Sequence, residues 1–213
     1  MGGSRPLAMF PLSSVLFPGA EIPLHVFEPR YRELTDRCLA GDRRFGVVLI
    51  ARGSEVGGGD QRFAVGTVAR IVAASRFDDG RWALLVVGTH RIAVARWLAD
   101  APYPRAEVDD LPDGGDPGDE ARFERATAAV RRVRTLLSEL GAPAPVVADL
   151  GASGAGTEAS RLWRLCSMAP LTALDGQRLL ETGDPAERLT LLTDLCEARA
   201  ADLSRLLGAG PDA

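Results

Sequence analysis

The chain has 213 residues, with 25 basic and 29 acidic side chains, two histidines and a formal net charge of −4. All of the basic residues are arginine, which excludes the P-loop phosphate lysine, the Schiff-base amine and the Ser–Lys dyad. Hydrophobic residues make up 46% and charged residues 25%, the balance of a globular chain that buries roughly 70% of its unfolded surface without a metal or disulfide staple.

The N-terminus, Met-Gly-Gly-Ser-Arg-Pro, lacks the basic region and long apolar run of a signal peptide, and Pro6 stands where myristoylation requires Ser or Thr. The longest apolar run, Trp82 to Val87, is far too short to cross a bilayer. Cys38, Cys166 and Cys196 are odd in number and far apart. That pattern implies no disulfide framework, and a cytoplasmic location is expected.

Up to about residue 108 the chain reads as β structure. Segments 7–12, 21–27, 45–50, 63–75, 81–88 and 91–98 are rich in β-branched and aromatic residues and are bounded by Gly, Pro or Asp. Pro18-Gly19 reads as a turn after the first of them, and Asp79-Gly80 as a tight hairpin turn. One helix interrupts this series over Glu28 to Leu39. Pro29 suits its first turn and Gly41 the position past its end, while Tyr31, Leu34 and Cys38 fall on one face. About six strands in just over a hundred residues imply a small barrel or sandwich.

The acidic, Gly- and Pro-rich run from Asp109 to Glu120 reads as a surface linker. Beyond it the apolar period becomes 3.6: Phe123, Ala126, Val130, Val133, Leu137 and Leu140 form a stripe, and Arg122, Arg125, Arg131, Arg132 and Arg134 largely avoid it. Residues 141–157 are again of low complexity. The last helix opens on Asp184-Pro185-Ala186-Glu187, a capping-box arrangement, and Leu189, Leu192, Leu195, Cys196, Leu203 and Leu206 supply its buried stripe. The expected organisation is a β-rich subdomain, barrel or sandwich, with one inserted helix over 1–111, a linker over 109–120 and a helical subdomain over 119–208, in the α+β class.

Catalytic chemistry is sparsely represented. His25 lies among apolar residues on an expected strand and His90 at a strand junction, where a wall residue is the simpler reading than a general base. Gly-Ala-Ser-Gly-Ala-Gly (151–156) displaces the second glycine of a nucleophile elbow by one place. Gly-Ser-Glu-Val-Gly-Gly-Gly-Asp (53–60) has the wrong order for a dinucleotide cradle. The histidines and cysteines do not cluster at metal-ligand spacing. No catalytic set, cofactor site or metal site is expected.

Met9 to Ile50, with Phe-Pro-Leu, Leu-Phe-Pro-Gly, Pro-Leu-His-Val-Phe-Glu-Pro-Arg-Tyr and Phe-Gly-Val-Val in order, closely resembles the start of the N-terminal substrate-binding domain of Lon proteases. Val65–Ile71, Asp79–Val94 and Pro102–Val108 follow in that family's order, and the helical half looks like the end of the same domain. The resemblance implies a PUA-like β-barrel followed by a C-terminal helical bundle, a non-catalytic role, and partners that are unfolded or extended polypeptides, with a protease as a further partner. The chain ends where the ATPase module would begin, so a stand-alone relative is expected. His90 and Ile92 replace an Arg and an aromatic of the family's Gly-Thr-Arg-Arg-Phe motif, so contacts made by those groups are not carried over. The expected polypeptide contacts are Phe17, Phe27, Tyr31 and Phe63, all near turns or element ends. The alternative is RNA binding, as in other PUA-like barrels, through Arg43, Arg44, Arg62, Arg70, Arg76 and Arg81; the acidic balance makes nucleic acid the less favoured partner.

Overall fold

In the computed structural model, which describes residues 4–52, 61–115, 120–141 and 158–208, the chain divides into two units, Met1–Pro112 and Asp113–Ala213. The first contains β1 (Arg5–Leu12), β2 (Glu21–Val26), α1 (Pro29–Ala40), β3 (Arg44–Arg52), β4 (Gln61–Arg76), β5 (Trp82–Leu98) and β6 (Arg105–Leu111). The strands lie in the order β2-β5-β4-β3-β1-β6, and β6 also pairs with β5. Five strands therefore close a ring, and β2 is attached outside it on β5. All pairs are antiparallel except β1–β3.

Segments 81–88 and 91–98, read separately in the sequence, form the single 17-residue strand β5. Its first half, Trp82–Val87, pairs with β2, and its second half, from Arg91 onwards, pairs with β6. Gly88 sits at the handover. Its N–H donates to the Ala20 carbonyl at 2.9 Å and its own carbonyl accepts from Gly19 at 2.8 Å, so the ladder continues where a junction was expected. A Cβ at Gly88 would lie 2.3 Å from the Phe17 carbonyl oxygen, which explains why only glycine fits. The sixth strand comes from a different place. β6 takes in Asp109, Asp110 and Leu111, the first residues of the acidic run read as linker, because β5 offers Arg91, Ile92 and Ala93 as cross-strand partners.

Two core clusters fill the barrel. One is aliphatic: Leu7, Met9, Val48, Val68, Ile92 and Val108 meet on the β6 side. The other is built around Phe10, Tyr31, Leu34, Phe45 and Tyr103, and α1 supplies part of it. Tyr31, Leu34 and Cys38 are buried as their spacing predicts. Pro29 occupies the first turn and Gly41 the C-cap, but the left-handed conformation falls on Arg43 (φ 61°), whose N–H reaches the Cys38 carbonyl.

The second unit contains α2 (Glu120–Glu139), α3 (Glu158–Met168), α4 (Ala173–Glu181) and α5 (Pro185–Gly208). On α2, Phe123, Ala126, Val130 and Val133 are buried as expected, while Leu140 lies beyond the helix and is exposed. The α5 stripe holds at Leu189, Leu192, Cys196 and Leu203, but Leu206 is exposed. The carboxylate of Asp184 accepts from the N–H groups of Ala186 and Glu187 at 2.8 and 2.9 Å, an N-cap that satisfies two otherwise orphaned donors. At the centre of the unit is a buried charge. Arg188 is 1% exposed and lies 3.8 Å from the Trp163 ring centroid. It donates to the carbonyls of Leu179 and Thr182 and to Asp113, and Asp113 also accepts from the Trp163 indole. A buried guanidinium is tolerated when its donors are met in this way.

Candidate functional site

The barrel ring leaves one gap. β6 pairs with β1 only along Arg5–Ala8, and β2 has no strand partner other than β5 among the described residues. The second half of β1 and the outer edge of β2 therefore border an unfilled seam. An open cleft of about 470 Å³ occupies it. Phe10 and Leu12 of β1, Ile22 and Leu24 of β2, Phe27 and Tyr31 form its apolar lining, with Ser14, His25 and Glu28 as its polar groups.

Local sequence places these residues. Alternation along β2 turns Ile22 and Leu24 inward and leaves Glu21, Pro23 and His25 exposed. Glu28 ends the strand, and Pro29 starts α1 so that Tyr31 points back under the cleft. The Tyr31 ring stacks on Phe10 at 4.1 Å between centroids, and the Arg30 guanidinium covers it at 4.5 Å. Arg30 also pairs with Glu28 at 3.1 Å, so the cleft floor is held rigidly. Phe27 is different: it is 51% exposed, a cost in water that a bound apolar group would remove.

Of the four expected contact residues, the structure brings Phe27 and Tyr31 into this cleft. Phe17 is buried beside Gly88, where the loop after β1 crosses β5. Phe63 is half-buried on β4, away from the cleft lining. The residues that sequence reasoning missed are Phe10, Leu12, Ile22 and Leu24. Their alternation marked them as core, and only the gap in strand pairing makes them a cleft.

The six arginines of the alternative reading fall in three places. Arg44 and Arg70 are cross-strand partners, and Arg43 adjoins them. Arg62 stacks over Trp97, about 26 Å along β4 from Arg70 at the usual strand rise. Arg76 covers Trp82, and Arg81 pairs with Asp79 near the hairpin. They make no single basic face.

His25 is exposed on β2, its ring 5.8 Å from that of Phe77. His90 lies between Asp110 (Nε2 to Oδ1, 3.1 Å) and Thr89 (Nδ1 to Oγ1, 3.0 Å). This resembles a relay, but Thr89 already donates its hydroxyl proton to the Val68 carbonyl at 3.0 Å. The Asp110 carboxylate can only accept, so Nε2 donates to it, and a neutral ring then presents Nδ1 as a second acceptor that competes with the Val68 carbonyl for the single Thr89 hydroxyl proton. The cluster joins strands: Arg5 of β1 also bonds Asp110 at 2.9 Å. That hydrogen bond from Arg5, more than the one from His90, holds the Asp110 carboxyl below the usual range. Burial pushes the thiols of Cys38 and Cys166 up to about 12 and that of Cys196 to about 11, so none is a thiolate at neutral pH. Among the described residues no three His, Cys, Asp or Glu side chains are grouped to hold a metal, and no helix is long and apolar enough to cross a membrane. Segments 53–60 and 151–156, read above as failed phosphate and nucleophile motifs, lie outside the described residues.

Comparison with known proteins places this architecture. The family model of the ATP-dependent protease La (Lon) substrate-binding domain matches residues 6–198. The chain belongs to the Lon substrate-binding domain family. A crystal structure of a Lon N-terminal domain protein from Xanthomonas campestris superposes with a TM-score of 0.64 at 32% identity, covering 89% of this chain and 98% of that one. The N-terminal domain of the Mycobacterium avium complex Lon protease shares the fold, with a TM-score of 0.53 at 18% identity over 91% of this chain and 98% of that one. The Lon protease of Cytophaga hutchinsonii is 28% identical over 86% of this chain and 23% of its own length. The chain thus spans about a quarter of such curated relatives. The fold is α+β, a PUA-like β-barrel of the Lon N-terminal type followed by a helical bundle, and a substrate-binding module is the role its family membership supports.

Proposed function

We propose that this chain is a non-catalytic module that holds extended or unfolded polypeptide segments, in the cytoplasm, as part of protein quality control. The observation that carries the reading is the seam cleft: an open, apolar volume at a gap in the barrel, with Phe27 half in water at its rim. A groove that accepts apolar side chains beside unpaired strand backbone is the physical requirement for gripping extended chains. The absence of lysine from the 213 residues and the shielded thiols support a gripping role over bond-breaking, and three free, buried cysteines are at home in a reducing compartment. A protease is the partner that the family relationship suggests.

The test is a titration of the purified chain with a permanently unfolded, fluorescently labelled polypeptide. Saturable binding in the micromolar range is expected, weakened about tenfold by Phe27→Ala, as loss of one buried aromatic contact predicts. No saturation up to high micromolar concentration overturns the reading.

A further inference from the structure

Hydrogen-bond phasing along β2 shows which of its backbone groups are free. The Gly88 N–H donates to the Ala20 carbonyl, which makes Glu21–Val87 a pair without mutual hydrogen bonds in the antiparallel register. Alternation then turns the backbone of Ile22, Leu24 and Val26 toward β5, and that of Glu21, Pro23 and His25 outward, into the seam. Pro23 has no N–H to orphan at this edge, the one place where a strand accommodates it. What remains on the edge is the N–H of Glu21 and of His25 and the carbonyls of all three residues. The opposite bank is similar. Met9 sends its N–H to the Pro104 carbonyl, on the β6 side of β1, so Pro11, two residues on, also faces the seam and brings no donor.

We infer that an incoming polypeptide is bound by strand addition: an extended segment pairs with the outer edge of β2 and drops alternate apolar side chains into the cleft over Ile22, Leu24 and Phe27. This rests on the proposed function and specifies how the same cleft works and what it selects. Backbone pairing provides affinity that is independent of sequence, and the apolar lining selects every second side chain. The one charged side chain in the lining, Glu28, is already paired with Arg30, so the cleft selects by apolar character and not by charge. The occupant is therefore an extended segment whose alternate side chains are apolar. The two prolines limit pairing to one added strand of short length, which guards this edge against open-ended aggregation.

The test uses the full chain and a fluorescein-labelled peptide, Arg-Arg-Leu-Thr-Val-Thr-Leu-Arg-Arg, read by anisotropy. N-methylation of alternate amides removes the donors of one peptide edge at a time. One methylated series is expected to lose about tenfold or more in affinity and the other to stay within about twofold, as deletion of several hydrogen bonds on one edge predicts. His25→Pro deletes an edge donor that the fold itself does not use, so a similar loss with unchanged Tm is expected, well beyond the loss in His25→Ala, which keeps the backbone donor. Equal binding of both methylated series and of His25→Pro overturns strand addition while leaving the apolar reading intact. Failure of the parent peptide and of an unfolded polypeptide alike takes down both. Dissociation of a dimer by the peptide in sedimentation equilibrium would assign the β2 edge to a second copy of this chain instead.

Discussion

The two halves of the barrel solve the same closure problem differently. On one side β6 lies between β1 and β5, and the wall is continuous backbone over a core of Leu7, Met9, Val48, Val68, Ile92 and Val108. On the other side no strand among the described residues joins β1 to β2. The interior is plugged by α1, whose Tyr31 stacks on Phe10, and the plug leaves a cleft open to solvent. A strand seals all of its polar backbone groups against its neighbours, whereas a helix satisfies its own and leaves the flanking strand edges unpaired. Sealing with a helix is thus what leaves a cleft open, and the aromatic core beneath gives that cleft a rigid floor.

The contrast can be broken by mutation, and the largest effect belongs in the sealed half. Ile92→Ala removes a fully buried side chain, and a loss of about 2–5 kcal/mol in urea unfolding is expected, with polypeptide affinity unchanged at temperatures where the variant is folded. Gly88→Ala acts on both halves at the handover. Its Cβ would meet the Phe17 carbonyl at 2.3 Å, and a loss of about 1–3 kcal/mol is expected, together with weaker protection of the β2 amides in hydrogen exchange.

A smaller effect comes from Asp110, which ties β6 to β1. Its folded pKa is depressed, so its contribution is complete above the unfolded carboxylate value of about 3.9 and disappears as pH falls through the folded value. Its side chain is 60% exposed, which limits the effect to under about 1 kcal/mol and makes it salt-sensitive. Wild type should therefore lose its small advantage over Asp110→Asn only in acid, below about pH 4, in thermal scans across pH. The smallest change in stability is expected for Phe27→Ala in the open half, within about 0.5 kcal/mol by the same unfolding assay. A large destabilisation there would mean that Phe27 belongs to the core and not to the cleft.

Much of this was legible in the residues. The helix from Pro29, the turn at Pro18-Gly19, the hairpin at Asp79-Gly80 and the N-cap at Asp184 follow from local conformational preferences, and local rules report them faithfully. The described residues also hold six strands, though for a reason local rules miss. The two segments flanking Gly88 fuse into one strand, and the sixth is drawn from Arg105–Leu111. Acidic residues such as Asp109 and Asp110 read as linker because strand propensity penalises them. Pairing of Asp109 and Asp110 with Ala93 and Ile92 of β5 overrides that preference. Asp113 was hidden for a similar reason: the partners that make it structural, Trp163 and Arg188, are 50 and 75 residues away.

Alternation, turn chemistry and the absence of lysine were enough to define a β-rich half, barrel or sandwich, followed by helices, and to exclude lysine-based catalysis, because each depends on neighbours in the chain or on composition alone. The cleft is another matter. Phe10, Leu12, Ile22 and Leu24 carry the pattern of ordinary core residues, and nothing near them in sequence says that β1 and β2 fail to pair. That failure is a property of ring closure, set by where β5 passes from β2 to β6, and it exists only once strands distant in the chain have found one another.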